Sequence, residues 1–349
     1  MCGKVLISAV AVWAFITACT ATATKNAGTG GPKTDTIPGT YGYDVAFMKE
    51  HHMDFIELQS ENGKASLLIS PALQGRVMTS SANGGPGKSF GWINYKYIES
   101  GQVSPQFNPY GGEERLWLGP EGGPFSVYFA KGEEQVFENW TVPPVFDTEA
   151  FEIAEHRADK VKFVKSTKLK NATGTEFSLK IERTVSLLPA DSLSVMLNSG
   201  FPRSLQIVAY QSENSITNQG REAWTKEKGL LSVWMLGMFN PSPTTTVFIP
   251  YKEDGAGPVV SDDYFGKVPA DRLIVENGVI YFKIDGKLRS KIGVPSGRAS
   301  ALCGSYDSRD KVLTLLWCSL PPVPQSYVNS KWGKQDDPYR GDVINSYND

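Results

Sequence analysis

The residues best equipped for chemistry in this chain sit together at positions 107–125, in the run FNPYGGEERLWLGPEGGPF. It carries three carboxylates (Glu113, Glu114 and Glu121), one guanidinium (Arg115) and one indole (Trp117) between two Gly-Gly pairs. Paired carboxylates can give and take a proton, an arginine can hold a developing oxyanion, and an indole offers a flat apolar face to a sugar ring. Glycines let the backbone approach a ligand closely. The same composition also builds a plain surface turn with exposed salt bridges, and both readings stand at this level. A second polar stretch, residues 327–349, crowds Lys331, Trp332, Asp336, Asp337, Arg340, Asp342 and Asn345. Its DDPYRGD spacing does not follow a calcium-loop scheme, so no metal site is expected there.

Other chemistries lack their motifs. There is no GxSxG, HExxH, Walker loop or dinucleotide fingerprint, and no cofactor is expected. The three histidines, His51, His52 and His156, all lie outside both polar stretches. A formal charge of −2 with no basic stripe argues against a nucleic-acid partner.

Strands must position these residues, because the hydrophobic pattern has period two almost throughout. One short helix is predicted over residues 43–52, with Phe47 and Met48 docking on the domain edge. After it, Ile56 and Leu58 lead through Asn62-Gly63, a two-residue hairpin signal, into residues 65–69. Val161 and Phe163 alternate with lysines before a turn at 171–174, and Phe177, Leu179 and Ile181 then alternate with Ser178, Lys180 and Glu182. Further short strands follow at 205–208, 246–249, 273–275, 279–284 and 312–317. Such a series, with Gly, Pro, Asn and Asp between its members, predicts an all-β fold of packed antiparallel sheets in one domain. Pairing Tyr306 with Lys311 puts Cys303 opposite Thr314, too far from Cys318 for a disulfide, so both are expected as thiols.

The N-terminus reads differently. Lys4, an apolar stretch over residues 5–18 and the ending Ile16-Thr17-Ala18-Cys19 form a signal peptide with a lipobox. The apolar stretch is shorter than the roughly 20 residues a membrane-spanning helix needs. Residues 1–18 are then a cleaved leader, Cys19 carries lipid, and residues 19–39, nearly free of apolar side chains, form a flexible tether reaching about 25 Å. Residues 40–349 make the folded domain. The expectation is a lipoprotein held at a membrane outside the cytoplasm, taken to be the outer membrane. A plain secretory leader with an incidental cysteine is the alternative.

Several residues carry a family resemblance. The run Ile69-Ser70-Pro71 to Gly75-Arg76-Val77, followed by GGEERLWLGPEGG, resembles the early strands of galactose mutarotase-like (aldose 1-epimerase-like) proteins. Lys180-Ile181-Glu182-Arg183 resembles their central strand, and Ser215-Ile216-Thr217-Asn218 with Leu231 to Gly237 continues the likeness. The chain is more similar still to an uncharacterised lipoprotein family of Gram-negative bacteria. The resemblance implies a large antiparallel β-supersandwich whose concave side faces carbohydrate, with Arg76, Arg115, Trp117 and Trp234 lining it. Two departures accompany it. No histidine stands where those enzymes carry their general acid, and their general-base glutamate belongs to strands expected beyond Asp349. Three functions remain open: a carbohydrate-binding lipoprotein, a sugar-active enzyme using Glu113, Glu114 or Glu121 as acid and base, and a structural or assembly lipoprotein with no glycan ligand.

Overall fold

A computed structural model describes residues 6–18, 37–202 and 204–349, so Cys19 and the tether up to residue 36 lie outside the described residues. Strand accounts for 39% of the chain and helix for 9%, which puts the protein in the all-β class expected from the period-two pattern. In chain order the strands are β1 (Leu6–Ala18), β2 (Ile56–Gln59), β3 (Ser66–Ser70), β4 (Arg76–Ser81), β5 (Glu114–Gly119), β6 (Glu152–His156), β7 (Lys160–Lys170), β8 (Glu176–Leu187) and β9 (Leu205–Asn218). They continue with β10 (Ser232–Gly237), β11 (Thr245–Pro250), β12 (Leu273–Glu276), β13 (Val279–Lys283), β14 (Ser290–Pro295), β15 (Leu302–Asp307), β16 (Val312–Cys318) and β17 (Asp342–Asn348). Among the described residues three α-helices join them: α1 (Tyr41–Glu50), α2 (Tyr95–Glu99) and α3 (Ala190–Met196).

One ten-stranded antiparallel sheet, ordered β12-β13-β11-β15-β16-β1-β9-β8-β7-β6, forms the broad layer. Two smaller sheets face it. A five-stranded sheet, β10-β5-β4-β3-β2, packs on the half containing β1, β9, β8 and β7, and the main core lies between them with Phe163, Leu179, Ile181, Leu67, Val77 and Leu118. A two-stranded ribbon, β14-β17, covers the other half over a second core of Ile249, Ile280, Phe282, Ile292, Val294 and Ile344. The alternation read from β8 is obeyed: Phe177, Leu179 and Ile181 are buried, and the residues between them face outward.

Local departures from the sequence reading have local causes. Helix α1 begins at Tyr41, not residue 43, because Thr40 is extended and its hydroxyl accepts a hydrogen bond from the Tyr43 N–H at 3.3 Å. Phe47 and Met48 dock as expected, in a small core with Leu68 and Met78 on the outer face of the five-stranded sheet. The β2–β3 hairpin closes at Gln59 opposite Ser66, a longer loop than Asn62-Gly63 alone implies. Within it the Asn62 side chain accepts from Ser60 Oγ and the Lys64 N–H. In the β15–β16 hairpin Tyr306 pairs with Leu313 and Cys303 with Leu316, two residues away from the expected register. Asp307 widens that turn by accepting from the Arg309 and Asp310 N–H groups, and Lys311 follows at φ 55°. Cys303 and Cys318 remain thiols, and burial pushes Cys303 up to about 12.

The turn from β3 to β4 has positive φ at both Gln74 and Gly75, as a type I′ hairpin turn requires. A side chain at Gly75 would meet the Phe163 ring at 2.5 Å, so the turn is pressed against β7 of the opposite sheet. Its carbonyl is held there by Arg183, the single charged residue on the buried face of β8. Arg183 Nε donates to Gly75 O at 2.9 Å, and Nη1 donates to Glu114 Oε1 at 2.8 Å and Asn214 Oδ1 at 2.7 Å. Arg183 and Glu114 are both fully buried, so the pair joins the sheets where no water screens it. Removing one partner leaves a buried uncompensated charge, and Arg183→Met is expected to lower the unfolding free energy by about 3–5 kcal/mol. Arg183→Met combined with Glu114→Leu should recover much of that loss, as measured by urea denaturation at neutral pH.

Candidate functional site

The polar loop at 107–125 does not act as one unit, because β5 sends its residues to opposite faces. Glu114, Leu116 and Leu118 point into the sandwich, while Arg115 and Trp117 point away from the broad sheet. Glu113 is also interior, fully buried, with Oε1 accepting from Ser80 Oγ at 2.8 Å and Tyr210 beside it. Burial pushes its carboxyl up to about 8, against the opposing hydrogen bond from Ser80. Glu113 and Glu114, two of the three carboxylates read as acid/base candidates, are thus core groups that bind the layers together. Arg76, at 1% exposure, is interior too, donating to Gly111 O at 2.7 Å and to Gln74 Oε1 at 3.3 Å.

Arg115, Trp117, Glu121 and Trp234 do come together, at the seam between the five-stranded sheet and the β14-β17 ribbon. Trp234 of β10 lies directly opposite Trp117 of β5, with their rings 6.1 Å apart and edge to face. The Arg115 guanidinium sits 4.1 Å above the Trp117 ring. From the ribbon, Lys291 projects toward the same place: its Nζ is 5.8 Å from the Trp234 ring, 4.1 Å from Tyr264 and 4.8 Å from Tyr347, the residue opposite it in register. Lys291 is 2% exposed and donates to Ser330 O and Oγ, both at 3.1 Å. Tyr264 in turn donates to Asp342 at 2.6 Å. The second polar stretch reaches the site as well. Gly122 and Gly123 meet it, with Gly123 N–H donating to Gly333 O at 2.8 Å, and a side chain at Gly122 would strike the Gly333 backbone at 2.4 Å. The second Gly-Gly pair is therefore explained by the close passage of the two loops.

The cluster joins buried and partly exposed groups, and Lys291 and Trp117 are buried in it. Glu121 and Arg115 are each partly open, and Tyr347 is 36% exposed. Burial still pushes the Glu121 carboxyl up to about 7, against the pull of Lys291 and Arg115. Burial likewise lowers Lys291 to about 8, against the pull of Glu121 and Asp342, and Arg115 to about 10. A carboxylate and an amine whose proton affinities converge near neutrality can exchange protons with a ligand, and the aromatic rings beside them offer stacking faces. Sequence reading missed Lys291, Tyr264 and Tyr347. The one available signal was a lysine inside the otherwise apolar run Ser290–Pro295, a strand buried along nearly its whole length. Among the described residues no group of three or more His, Cys, Asp or Glu side chains converges as a metal site would require. A shallow trough of about 360 Å3 on the outer face of the broad sheet, lined in part by Phe248, Tyr281 and Tyr306, has no ionisable pair.

Residues 39–349 match the family of unknown function DUF6786. The chain belongs to that family. No curated protein matches it. Among solved structures it is similar to a galactose mutarotase-like protein from Lactobacillus casei ATCC 334, at 11% identity and TM-score 0.43 over 84% of this chain and 95% of the other. It is similar to a putative aldose 1-epimerase from Escherichia coli K12, at 10% identity and TM-score 0.41 over 84% and 96%. The Slr1438 protein from Synechocystis sp. PCC 6803 gives 11% identity and TM-score 0.36 over 77% and 86%. The roles given to residues of the DUF6786 chain rest on its own geometry.

The carboxyls fix a pH dependence. Glu113 and Glu121 have folded-state values of about 8 and about 7, above the ordinary 4.5, so the unfolded chain gives up these protons first as pH rises. Their contribution to stability is complete below about 4.5 and is lost as pH rises to about 8. The urea midpoint should fall between pH 5 and pH 8, and Glu113→Gln should flatten that fall. A midpoint that rises across the window contradicts this account.

Proposed function

We propose that this protein is an envelope lipoprotein that binds carbohydrate at the seam between its two smaller sheets. The observation that carries the reading is the convergence of Trp234, Tyr347, Arg115 and Glu121, all partly exposed, over the buried Trp117 and Lys291. Sugars present apolar ring faces edged with hydroxyl groups. Indole and phenol rings take the faces, and charged groups with fixed partners take the hydroxyls. The all-β architecture is compatible with such a role without requiring it. Attachment through Cys19 is part of the proposal and is supported by the small residues before that cysteine and the short apolar stretch ahead of them. Among the described residues no helix is long and apolar enough to cross a membrane.

A second reading starts from the placement of Glu121, Lys291 and Arg115 around the Trp117–Trp234 pair, where burial raises the Glu121 carboxyl to about 7 and lowers Lys291 to about 8, values that suit an acid and a base at neutral pH. On that reading the site turns sugar over, with Arg115 stabilising developing negative charge.

A glycan array followed by calorimetry tests both readings. Trp234→Ala should weaken binding of any recognised sugar by about tenfold, about 1.4 kcal/mol. Glu121→Gln should change affinity only a few-fold in a binding protein, whereas in an enzyme it should cut turnover by about 10²–10⁴. Absence of affinity for every glycan tested removes both readings and leaves a structural or assembly role.

A further inference from the structure

Arg115 has neighbours but no bonding partner. Its guanidinium stacks on the Trp117 ring at 4.1 Å and lies 5.6 Å from that of Phe107, so aromatic rings pack beside it. Among the described residues it forms no ion pair and no hydrogen bond, and its Nε is buried without an acceptor. Other arginines of the chain are used differently. Arg157, Arg183, Arg272, Arg289 and Arg309 each pair with a carboxylate, and Arg298 donates to backbone carbonyls. The carboxylates that act on Arg115 are committed elsewhere or only partly ionised at neutral pH. Asp147 accepts from the Asn108 N–H at 3.3 Å and from its Nδ2 at 2.6 Å, and burial holds Glu121 at about 7.

The position of this charge is also unfavourable to the fold. Val77 of β4 pairs with Glu114 of β5 in an antiparallel register, which brings the preceding Arg76 toward the following Arg115. Like charges so placed repel. After burial, the Arg115 charge is the largest influence lowering Arg76, to about 9. Arg76 uses its guanidinium structurally, on Gly111 O and Gln74 Oε1, whereas Arg115 makes no such bond. A third cation approaches from the ribbon: Lys291 forms no ion pair among the described residues, and Glu121 feels both it and Arg115, so the two cations flank one spot. An uncharged side chain of similar length at 115 would keep the contact with Trp117 and remove the repulsion. The fold alone therefore does not account for this arginine, and a stability cost accepted without structural return points to a ligand.

We propose that Arg115 receives an oxyanion, and that the carbohydrate bound at this seam is an acidic sugar bearing a carboxylate, sulfate or phosphate group. The inference rests on the carbohydrate reading above and narrows its ligand. A planar guanidinium stacked on an indole presents its N–H edge, which matches two oxygens of such a group through parallel hydrogen bonds. Trp234 and Tyr347, both partly exposed, supply the surface for the sugar ring that carries it. Lys291, 2% exposed, acts through its field and not by contact. An anion in this place gives Arg115 the acceptor that the chain does not supply and offsets its repulsion of Arg76.

The test adds defined probes to the glycan array and the calorimetry: glucose, galactose and mannose, each beside its uronate, its 6-sulfate and its 6-phosphate. At least one acidic form should bind about tenfold or more tightly than its neutral parent, and the form that does so identifies the group. Raising NaCl about tenfold from about 50 mM should weaken the acidic sugar several-fold and leave its parent unchanged. That comparison is made on the natural protein and stands whatever a variant does to folding. Arg115→Met keeps an apolar stem on Trp117 and removes the charge. It should bring the acidic sugar down to the affinity of its parent while the urea midpoint of the free protein holds or rises, the reverse of what loss of a structural arginine gives. Equal or tighter binding of the neutral parents, or a preference for acidic forms that survives in Arg115→Met, would overturn the acidic-ligand inference and leave the carbohydrate reading standing. No affinity for any glycan, acidic or neutral, overturns both.

Discussion

The sandwich depends on one buried charge. Arg183 projects from the apolar face of β8 into the space between the sheets and is held by Glu114 of β5, Asn214 of β9 and the carbonyl of Gly75. A guanidinium in so dry a place tolerates few alternative arrangements, because each lost partner leaves an unscreened charge or an unpaired donor. The β3–β4 turn, the start of β5 and the middle of β9 are therefore tied to one atom group. With β5 set in this way, Arg115 and Trp117 must emerge on its opposite face. The position of the surface cluster follows from that of the core ion pair.

The seam is where the fold brings charged groups and aromatic rings together. The broad sheet is continuous, but the layer over it is split between the five-stranded sheet and the β14-β17 ribbon. Residues from both pieces meet at the split, where Lys291 of the ribbon approaches Trp234 of the five-stranded sheet. Lys291 shows the consequence. Its strand is packed as core, and its Nζ is directed among three aromatic rings at the seam, where burial lowers its proton affinity without a direct carboxylate partner to restore it. Glu121 experiences the converse shift. Desolvation without close pairing brings the two groups toward neutrality, which a tight salt bridge would prevent.

The period-two pattern made most strands legible, since burial of alternate side chains is a one-dimensional property of the chain. Phe177, Leu179 and Ile181 needed no partner to be recognised. The site was half legible for the same reason. Arg115, Trp117 and Glu121 are close in sequence, and a glycine-rich loop with mixed charge marks itself as irregular. The role of Glu113 and Glu114 was not visible, because the direction in which a strand turns its first residue depends on register with β4 and β10. Lys291, Tyr264 and Tyr347 come from separate segments joined only by the ribbon. A lysine between Ser290 and Ile292 looks like any strand lysine until its neighbours across space are known.

The N-terminal segment shows where such reading meets its physical limit. An uncharged apolar run ending in small residues suits a translocation leader, and for the same reasons it suits the centre of a sheet buried on both faces. Neither composition nor length separates the two uses. What distinguishes them is shape complementarity: a leader needs only hydrophobicity, whereas the space between β9 and β16 discriminates between an indole against Gly237 and an alanine beneath α3. The fit of Trp13 against Gly237, of Ala14 beneath α3 and of Phe15 on Phe90 characterises the space itself.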